Sequence, residues 1–324
     1  MKKLIATILA AGTLVSCASA PEQKQVRLNA AGATFPAPLY QSWFSELARN
    51  GGPVVNYQAI GSGSGVRQYN AGTTDFGASD KAISDEKIEK PVVQIPMTGG
   101  AIVPAYNNPG CDLRLTQKQL ADIFLGNITN WSEVGCDDGR ITVVYRADGS
   151  GTTAGFTASL SAFSPEWAER VGSGKAVKWL VGVGAKGNSG VAGTIVSQEG
   201  SIGYLNYGYV TSNDVIQQAW IQNRDGNYVQ ANAETSAAGL SQIVLDDKLR
   251  GSDPNPSGAN SYPIVSLTWV LARPEHPQND TMKEVFTFML SEKAQGRSDE
   301  LGYVPLPESI RTQALEVVET LTTD

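Results

Sequence analysis

The chain has 324 residues, of which 41% are hydrophobic, and its formal net charge at pH 7 is −7. A chain of this length can bury a sizeable core and is long enough for two domains, so we expect a globular protein. The acidic balance argues against a nucleic-acid partner, because proteins that bind nucleic acids present a basic face to the phosphates.

The chain begins with the pattern of an export signal. Three residues with two lysines precede an apolar stretch, residues 4–15, that is too short to span a bilayer. We therefore expect residues 1–24 to be a signal peptide with a lipid-anchor or linker region. The protein is then expected in the periplasm or at the cell surface.

Two processing sites compete within this segment. Residues 18–20 form a small-x-small cleavage site, whereas residues 14–17 form a lipoprotein box in which Cys17 becomes the acylated first residue. Pro21 would directly follow the first site, where the peptidase tolerates proline poorly, so we favour lipidation of Cys17. Without lipidation the protein would be soluble in the periplasm.

Strand-like and helix-like patterns alternate along the rest of the chain, which favours an α/β fold with largely parallel sheets. The predicted strands are residues 54–57, 92–95, 101–105, 141–145, 201–205 and 264–271. The predicted helices are residues 38–50, 116–125, 153–163, 189–196, 237–245 and 281–295. Thr116 with Gln119 predicts a capping box, and Ser164 before Pro165 predicts a second helix start.

Two cysteines follow the export signal, Cys111 and Cys136. Because disulfides persist outside the cytoplasm, we expect a bridge between them, the alternative being two unrelated buried thiols. The chain has one histidine, His276, and no C-x-x-C pair, so we expect neither a metal site nor a redox centre, and no cofactor.

Three glycine-rich turns share one design. RADGSGTT (residues 146–153) and GSGSGV (residues 61–66) each follow a predicted strand and open a helix, and AGATFPAP (residues 31–38) also runs into a helix. A helix N-terminus offers free N–H groups and the positive end of the helix dipole, which favour an anion. Three such turns in one chain predict that the helix N-termini converge on an anion.

RADGSGTT carries the strongest donors. Ser150, Gly151 and Thr152 offer hydroxyl and backbone donors together, and Arg146 adds a guanidinium suited to a tetrahedral oxyanion. Asp148 lies two residues after Arg146, where it either pairs with the guanidinium and aims it or is a solvated turn residue.

At this point the sequence resembles a known family. The stretches GATFPAPLY, VNYQAIGSGSGVRQ, DFGASDKAISDEK, RADGSGTT and VKWLVGVGAKGNSGV look like those of the PstS-type phosphate-binding proteins, the solute receptors of phosphate ABC importers. The five blocks occur in the family's order and at close to its spacing, from about Gly32 to Leu306. GSGSGV replaces the family's more usual GSSGGV, which leaves Ser62 in register and puts a role for Ser64 in doubt.

The resemblance implies a phosphate-binding set. Here it corresponds to Thr34, Phe35 through its backbone N–H, Ser62, Asp80, Arg146, Ser150, Gly151 and Thr152. It also implies a two-lobed periplasmic-binding-protein fold of type II, in which the chain crosses between lobes twice, near residues 99–103 and 262–266. We expect residues 25–102 and 264–324 to form lobe I, and residues 103–263 to form lobe II.

The function implied is binding of phosphate in the cleft and its delivery, by a monomer, to the permease and ATPase subunits of an importer. A receptor for another oxyanion or a phosphorylated metabolite is the nearest alternative. A phosphatase is disfavoured, because there is no G-x-S-x-G motif and no histidine-containing metal cluster. GVGAKG (residues 182–187) matches a dinucleotide fingerprint but lacks the ribose-binding acid that should follow, so we interpret it as a loop.

Overall fold

The computed structural model describes residues 25–323, so Cys17 and the predicted export signal lie outside the described residues. The strands within this range are β1 (Arg27–Gly32), β2 (Val54–Ala59), β3 (Phe76–Ser79), β4 (Val93–Asn107), β5 (Arg114–Leu115), β6 (Thr142–Arg146), β7 (Val183–Ala185), β8 (Ser201–Asn206), β9 (Gln217–Gln218), β10 (Trp220–Gln222), β11 (Tyr228–Val229) and β12 (Val265–Ala272). The helices are α1 (Ala37–Arg49), α2 (Ser62–Ala71), α3 (Gln117–Leu125), α4 (Gly151–Phe163), α5 (Pro165–Arg170), α6 (Gly187–Ser197), α7 (Tyr207–Thr211), α8 (Ala233–Leu240), α9 (Asn279–Met289), α10 (Glu292–Gln295) and α11 (Glu308–Glu319).

One long strand joins the two halves of the main sheet, whose order is β2-β1-β3-β12-β4-β8-β6-β7, with β9 added beside β4. Strand β4 pairs with β12 as far as Ala101 and with β8 from Ile102 onwards. The strands predicted at 92–95 and 101–105 are parts of this one strand, so only their separation is wrong. The register between β4 and β12 shifts between Thr268 and Trp269, which pair with Thr98 and Pro96, and this irregularity accommodates the proline within a continuous strand.

The sheet is mixed, so the prediction of largely parallel sheets is wrong at its centre. Strand β1 runs parallel to β2 and β3, and β6 runs parallel to β7 and β8. Strands β4 and β12 instead run antiparallel to their neighbours. These two strands carry the chain from one half to the other and back, and the alternation of strands and helices carries no information about their direction.

Several predicted helices differ from the observed ones in their ends. Asn232 and Thr235 form a capping box that starts α8 four residues before the predicted position 237. The single helix expected at 281–295 is two helices, because Ser291 caps a new start at α10. Strands β1 and β3 and helix α11 were not predicted. The capping box of Thr116 with Gln119 is confirmed, as is the helix start at Ser164.

The predicted disulfide between Cys111 and Cys136 is confirmed, with Cα atoms 5.3 Å apart. It links the segment after β4 to the segment after the 3-10 helix Trp131–Val134. The hydroxyl of Tyr106 donates to the carbonyl of Cys111 at 2.7 Å, which ties this region to the end of β4. Among residues 25–323, no helix is long and apolar enough to cross a membrane.

Candidate functional site

The N-termini of α2 and α4 meet directly. The backbone N–H of Gly151 donates to Oγ of Ser62 at 3.1 Å, and the N–H of Gly63 donates to the carbonyl of Gly149 at 2.7 Å. Helix α2 starts after Gly61 with no side-chain cap, whereas Ser150 caps α4 by accepting from the N–H of Thr153 at 3.0 Å. Two glycine-rich turns that lie 85 residues apart in sequence thus bring their donors to one place.

A residue that the sequence analysis missed joins the first turn to the others. Asn188 is fully buried near the start of α6, and its backbone N–H and Nδ2 donate to Oγ1 of Thr34 at 3.1 and 2.9 Å. Nδ2 also lies 3.2 Å from Oγ1 of Thr152. Asn188 therefore fixes two of the predicted ligand residues, which lie in different turns.

The interpretation of residues 182–187 as a loop is wrong. Residues Val183–Ala185 form β7, and α6 begins at Gly187, where φ is 73°. The stretch is a fourth strand-to-helix turn, and the sequence GVGAKGNSGV has the same glycine-rich pattern as the other three. That shared pattern is the signal that could have identified Asn188.

Arg146 lies at the end of β6 and is 3% exposed. Its Nε and one terminal nitrogen donate to Oδ1 and Oδ2 of Asp148 at 2.7 and 2.6 Å, and the N–H of Gly187 donates to Oδ1 at 3.0 Å. The other terminal nitrogen of Arg146 is buried and has no hydrogen-bond partner within the described part of the chain, residues 25–323. Asp148 thus holds the guanidinium in one orientation, and one face of the fork is left for a ligand.

Charge balance explains why Asp148 can be ionised in this partly buried position. Burial acts to raise the pKa of Asp148, but the hydrogen bonds and the positive charge of Arg146 outweigh it and hold the pKa below its ordinary value. Asp148 is therefore ionised at neutral pH. Of the two alternatives for this residue, a partner of Arg146 or a solvated turn residue, the structure shows the first.

Asp80 is a second buried carboxylate, 4% exposed, directly after β3. Its Oδ1 accepts from Oγ1 of Thr268 at 2.9 Å, and its Oδ2 lies 3.4 Å from Oγ of Ser62. Burial raises the pKa of Asp80 to about 6, against the opposing effects of the Thr268 bond and the charges of Arg146 and Lys175. Asp80 therefore accepts hydrogen bonds at neutral pH and takes up a proton in mildly acidic solution.

Tyrosine hydroxyls fix the turn that precedes α1. The hydroxyls of Tyr57, Tyr209 and Tyr303 donate at 2.7 Å to three consecutive carbonyls, those of residues 33, 34 and 35 in that order. These bonds occupy the carbonyl side of the turn and restrict its motion. The turn can then present its N–H groups without reorganisation.

The predicted set is buried as a whole and lies on converging turns. The members that are at most 4% exposed are Thr34, Phe35, Ser62, Asp80, Arg146, Ser150 and Thr152. Ser64 instead accepts from Arg67 at 2.7 Å on the surface of α2. In residues 25–323, no cluster of three or more His, Cys, Asp or Glu residues could hold a metal ion.

Comparison with known proteins identifies the family. The model described as the PBP superfamily domain matches residues 18–293. The phosphate-binding protein PstS of Haemophilus influenzae is 38% identical to this chain, over 96% of each protein. The chain belongs to the PstS family. The resemblance found in the sequence is thus confirmed, and PstS proteins are periplasmic substrate-binding proteins.

Solved structures show the same two-lobed periplasmic-binding-protein fold as this PstS chain. The phosphate-binding protein of Stenotrophomonas maltophilia matches with a TM-score of 0.72 and 19% identity, covering 90% of this chain and 93% of its own. An ABC-type phosphate transport receptor from Vibrio cholerae matches with a TM-score of 0.57 and 19% identity, covering 86% of this chain and 100% of its own. The fold class expected from the sequence is confirmed.

Proposed function

We propose that this protein binds inorganic phosphate between its two lobes and delivers it to an ABC-type importer. The observation that carries the proposal is the buried, unpartnered terminal nitrogen of Arg146, oriented by Asp148 beside converging helix N-termini. The names of the PstS relatives and of the Vibrio cholerae receptor support the same ligand and the same transport role. The family consists of transport substrate-binding proteins, not enzymes.

The ligand shell in this proposal is the one expected from the sequence. Thr34, Ser62, Ser150 and Thr152 contribute hydroxyls, and the N-termini of α1, α2 and α4 contribute backbone N–H groups, including those of Phe35 and Gly151. Hydrogen bonds to a charged group contribute about 1.5–3 kcal/mol each. A handful of them exceeds the roughly 8 kcal/mol of a micromolar site, after ordering and hinge costs.

Asp80 gives the site its selectivity in this proposal. Phosphate near neutral pH still carries a proton, so its O–H group can donate a hydrogen bond to the ionised carboxylate of Asp80. Sulfate has no proton to donate, so its lone pairs would face the buried charge. A site that pairs a ligand O–H can reject the analogue lacking it by about 10⁴–10⁵-fold. This also separates phosphate from an oxyanion that is fully deprotonated at neutral pH, such as sulfate.

Binding in the cleft would hold the lobes together. We take residues 25–102 with 264–324 as lobe I and residues 103–263 as lobe II, since β4 exchanges β12 for β8 between Ala101 and Ile102. On that division Thr34, Ser62 and Asp80 belong to lobe I, and the RADGSGTT turn belongs to lobe II. A ligand that contacts both sets favours the closed arrangement.

The remaining parts of the proposal concern the protein's place in the cell. We propose that Cys17 is acylated and anchors a monomer to the membrane on the periplasmic or outer side. The monomer would release phosphate to permease and ATPase subunits. These steps rest on the export signal, the lipoprotein box and the family, and not on contacts within residues 25–323.

Titration calorimetry with phosphate tests the proposed site. Arg146→Met removes the charge and the free donors, and two lost bonds to a charged ligand predict an affinity roughly 10²–10⁴-fold lower. Arg146→Lys keeps the positive charge but loses the paired donors of the guanidinium. It replaces Arg146→Met in the test if the unpaired carboxylate of Asp148 prevents Arg146→Met from folding. Arg140→Met is the matched control, because Arg140 is exposed just before the same strand.

The expected result is weak binding by both Arg146 variants and parental binding by Arg140→Met, with parental circular dichroism in all. Parental phosphate affinity in a folded Arg146 variant would show that the site lies elsewhere. Absence of phosphate binding in the parent protein would overturn the proposed function itself.

A further inference from the structure

A lysine outside the predicted set touches both sides of the site. Lys175 lies between α5 and β7, and its carbonyl accepts from the N–H of Ser150, the cap of α4, at 2.8 Å. Its ammonium donates to Oγ of Ser79 at 3.0 Å. Ser79 is the last residue of β3 and directly precedes Asp80. One residue is therefore bonded to the RADGSGTT turn through its backbone and to the strand carrying Asp80 through its side chain.

The other hydrogen bonds of Ser79 leave its hydroxyl oxygen to act as an acceptor towards Lys175. Oγ of Ser79 donates to the carbonyl of Lys81 at 2.6 Å, so its lone pairs are free to accept. The N–H of Lys81 and the ammonium of Lys175 both donate to it, at 3.2 and 3.0 Å. The hydroxyl of Ser79 thus fixes the backbone next to Asp80 and accepts a hydrogen bond from the charged ammonium of Lys175.

Lys175 also changes the charge count of the site. Asp80 is buried and the Asp148 side chain is 10% exposed; together they contribute two negative charges, and Arg146 contributes one positive charge. The ammonium of Lys175 brings the four groups to neutrality before an anion enters. Because Coulomb energies grow as the surroundings become less polar, this charge has a larger effect here than at the surface.

The ion pairs between the two lobes within residues 25–323 are more exposed than this contact. Lys248 and Arg250 pair with Asp85 at 2.9 and 2.6 Å, but the Asp85 side chain is 49% exposed. Exposed ion pairs of this kind contribute little, because water and salt screen them. Lys175 is partly buried beside a cavity of about 700 Å³, next to the site.

We propose that Lys175 is a positioning residue that ties lobe II to lobe I at Ser79 and so slows the release of phosphate. This inference rests on the proposed function and deepens it. The tie forms only when the two lobes meet, so it stabilises the closed state relative to the open one. Its loss would speed release and leave the rate of capture nearly unchanged.

The protonation of Lys175 provides an independent signature. Burial lowers the pKa of Lys175 to about 8, while the negative charge of Asp80 raises it and the charges of Lys81 and Lys87 lower it further. The other ionisable residues lining the same cavity are Glu86 and Glu89. A neutral amine would lose the charge, so the tie should weaken as the pH rises through about 8.

Stopped-flow measurement of phosphate release from the mature protein tests the proposal. Lys175→Met should release phosphate roughly 10–100-fold faster, the effect expected for one bond to a charged donor. Lys178→Met is the matched control, because it removes the same charge from an exposed position of the same loop. Lys175→Arg keeps a positive charge at every pH used and can still reach the serine.

The pH series distinguishes a tie from a merely structural role. Between pH 7 and pH 9.5, the release rates of the parent and of Lys178→Met should rise relative to the release rate of Lys175→Arg. The titration of phosphate itself is common to all variants and cancels in the ratio.

Equal release rates for Lys175→Met and Lys178→Met, or an unchanged ratio of Lys175→Arg to parent across the pH series, would overturn the role of Lys175. The Arg variant keeps the test valid if Lys175→Met does not fold. Failure of the parent and Lys178→Met to bind phosphate would instead overturn the proposed function.

Discussion

Replacing Gly151 with alanine tests whether the turns must meet as closely as they do in the structure. A Cβ built on Gly151 would lie 2.6 Å from both Cβ of Asp80 and Oγ of Ser62, and 2.7 Å from Oδ2 of Asp80. Ordinary van der Waals contact begins at 3.4 Å, so these groups must separate by ~0.8 Å, the difference between 3.4 and 2.6 Å. The 3.1 Å bond from Gly151 to Ser62 would then exceed hydrogen-bonding range.

The effect on binding follows from that separation. When the turns before α2 and α4 cannot approach each other, the hydrogen bonds that one of them donates to the ligand lengthen. The loss of two hydrogen bonds to the charged ligand predicts a phosphate affinity lower by roughly 10²–10⁴-fold. The fold should persist, because Gly151 occupies the first turn of α4, where alanine is well tolerated.

Calorimetric titration and thermal unfolding of two glycine variants measure this prediction. The control is Gly193→Ala in α6, where an added Cβ meets nothing within 4 Å and alanine should raise stability by about 0.5–1 kcal/mol. Parental phosphate affinity in folded Gly151→Ala would refute the claim that the site requires this close approach.

Three further predictions concern stability and anchoring. The raised pKa of Asp80, about 6, means that the folded protein holds this proton more tightly than the unfolded chain, so stability falls as pH rises towards 6. Asp80→Asn should therefore stabilise the ligand-free protein at about pH 7.5 by up to ~3 kcal/mol but not at about pH 3.5, and equal effects at both pH values in thermal unfolding would contradict this. Cys111→Ser with Cys136→Ser should lower the free energy of unfolding by about 3 kcal/mol, and unreduced mass spectrometry of the parent should find the two peptides linked, not alkylatable. Cys17→Ser should move the protein from the membrane fraction to the soluble fraction, and unchanged fractionation would count against acylation.

Local patterns were enough to predict three of the four turns that carry the site. Glycines and hydroxyls between a strand and a helix marked the starts of α2 and α4, and the capping residues marked α3 and α5. These signals work because a helix N-terminus must satisfy its free N–H groups with nearby residues. The family resemblance, not the local chemistry, singled out Asp80 as a ligand.

Contacts between distant parts of the chain could not be predicted in the same way. Asn188 bonds to Thr34 across 154 residues, and Lys175 bonds to Ser79 across 96 residues. Nothing near Lys175 in the sequence sets it apart from Lys178, because its importance comes from the neighbour that the fold provides. For the same reason the sequence predicted two strands where β4 is one. The glycines of β4 lie in a continuous strand because β12 and β8, which are distant in sequence, pair with it.

Titration calorimetry of the parent protein with phosphate and with sulfate at about pH 7.5 tests the central claim most directly. The account predicts tight binding of phosphate and an affinity for sulfate lower by about 10⁴-fold or more, because phosphate has an O–H group that can donate a hydrogen bond to ionised Asp80 and sulfate has none. Equal affinity for the two anions would contradict the account, as would the absence of measurable phosphate binding.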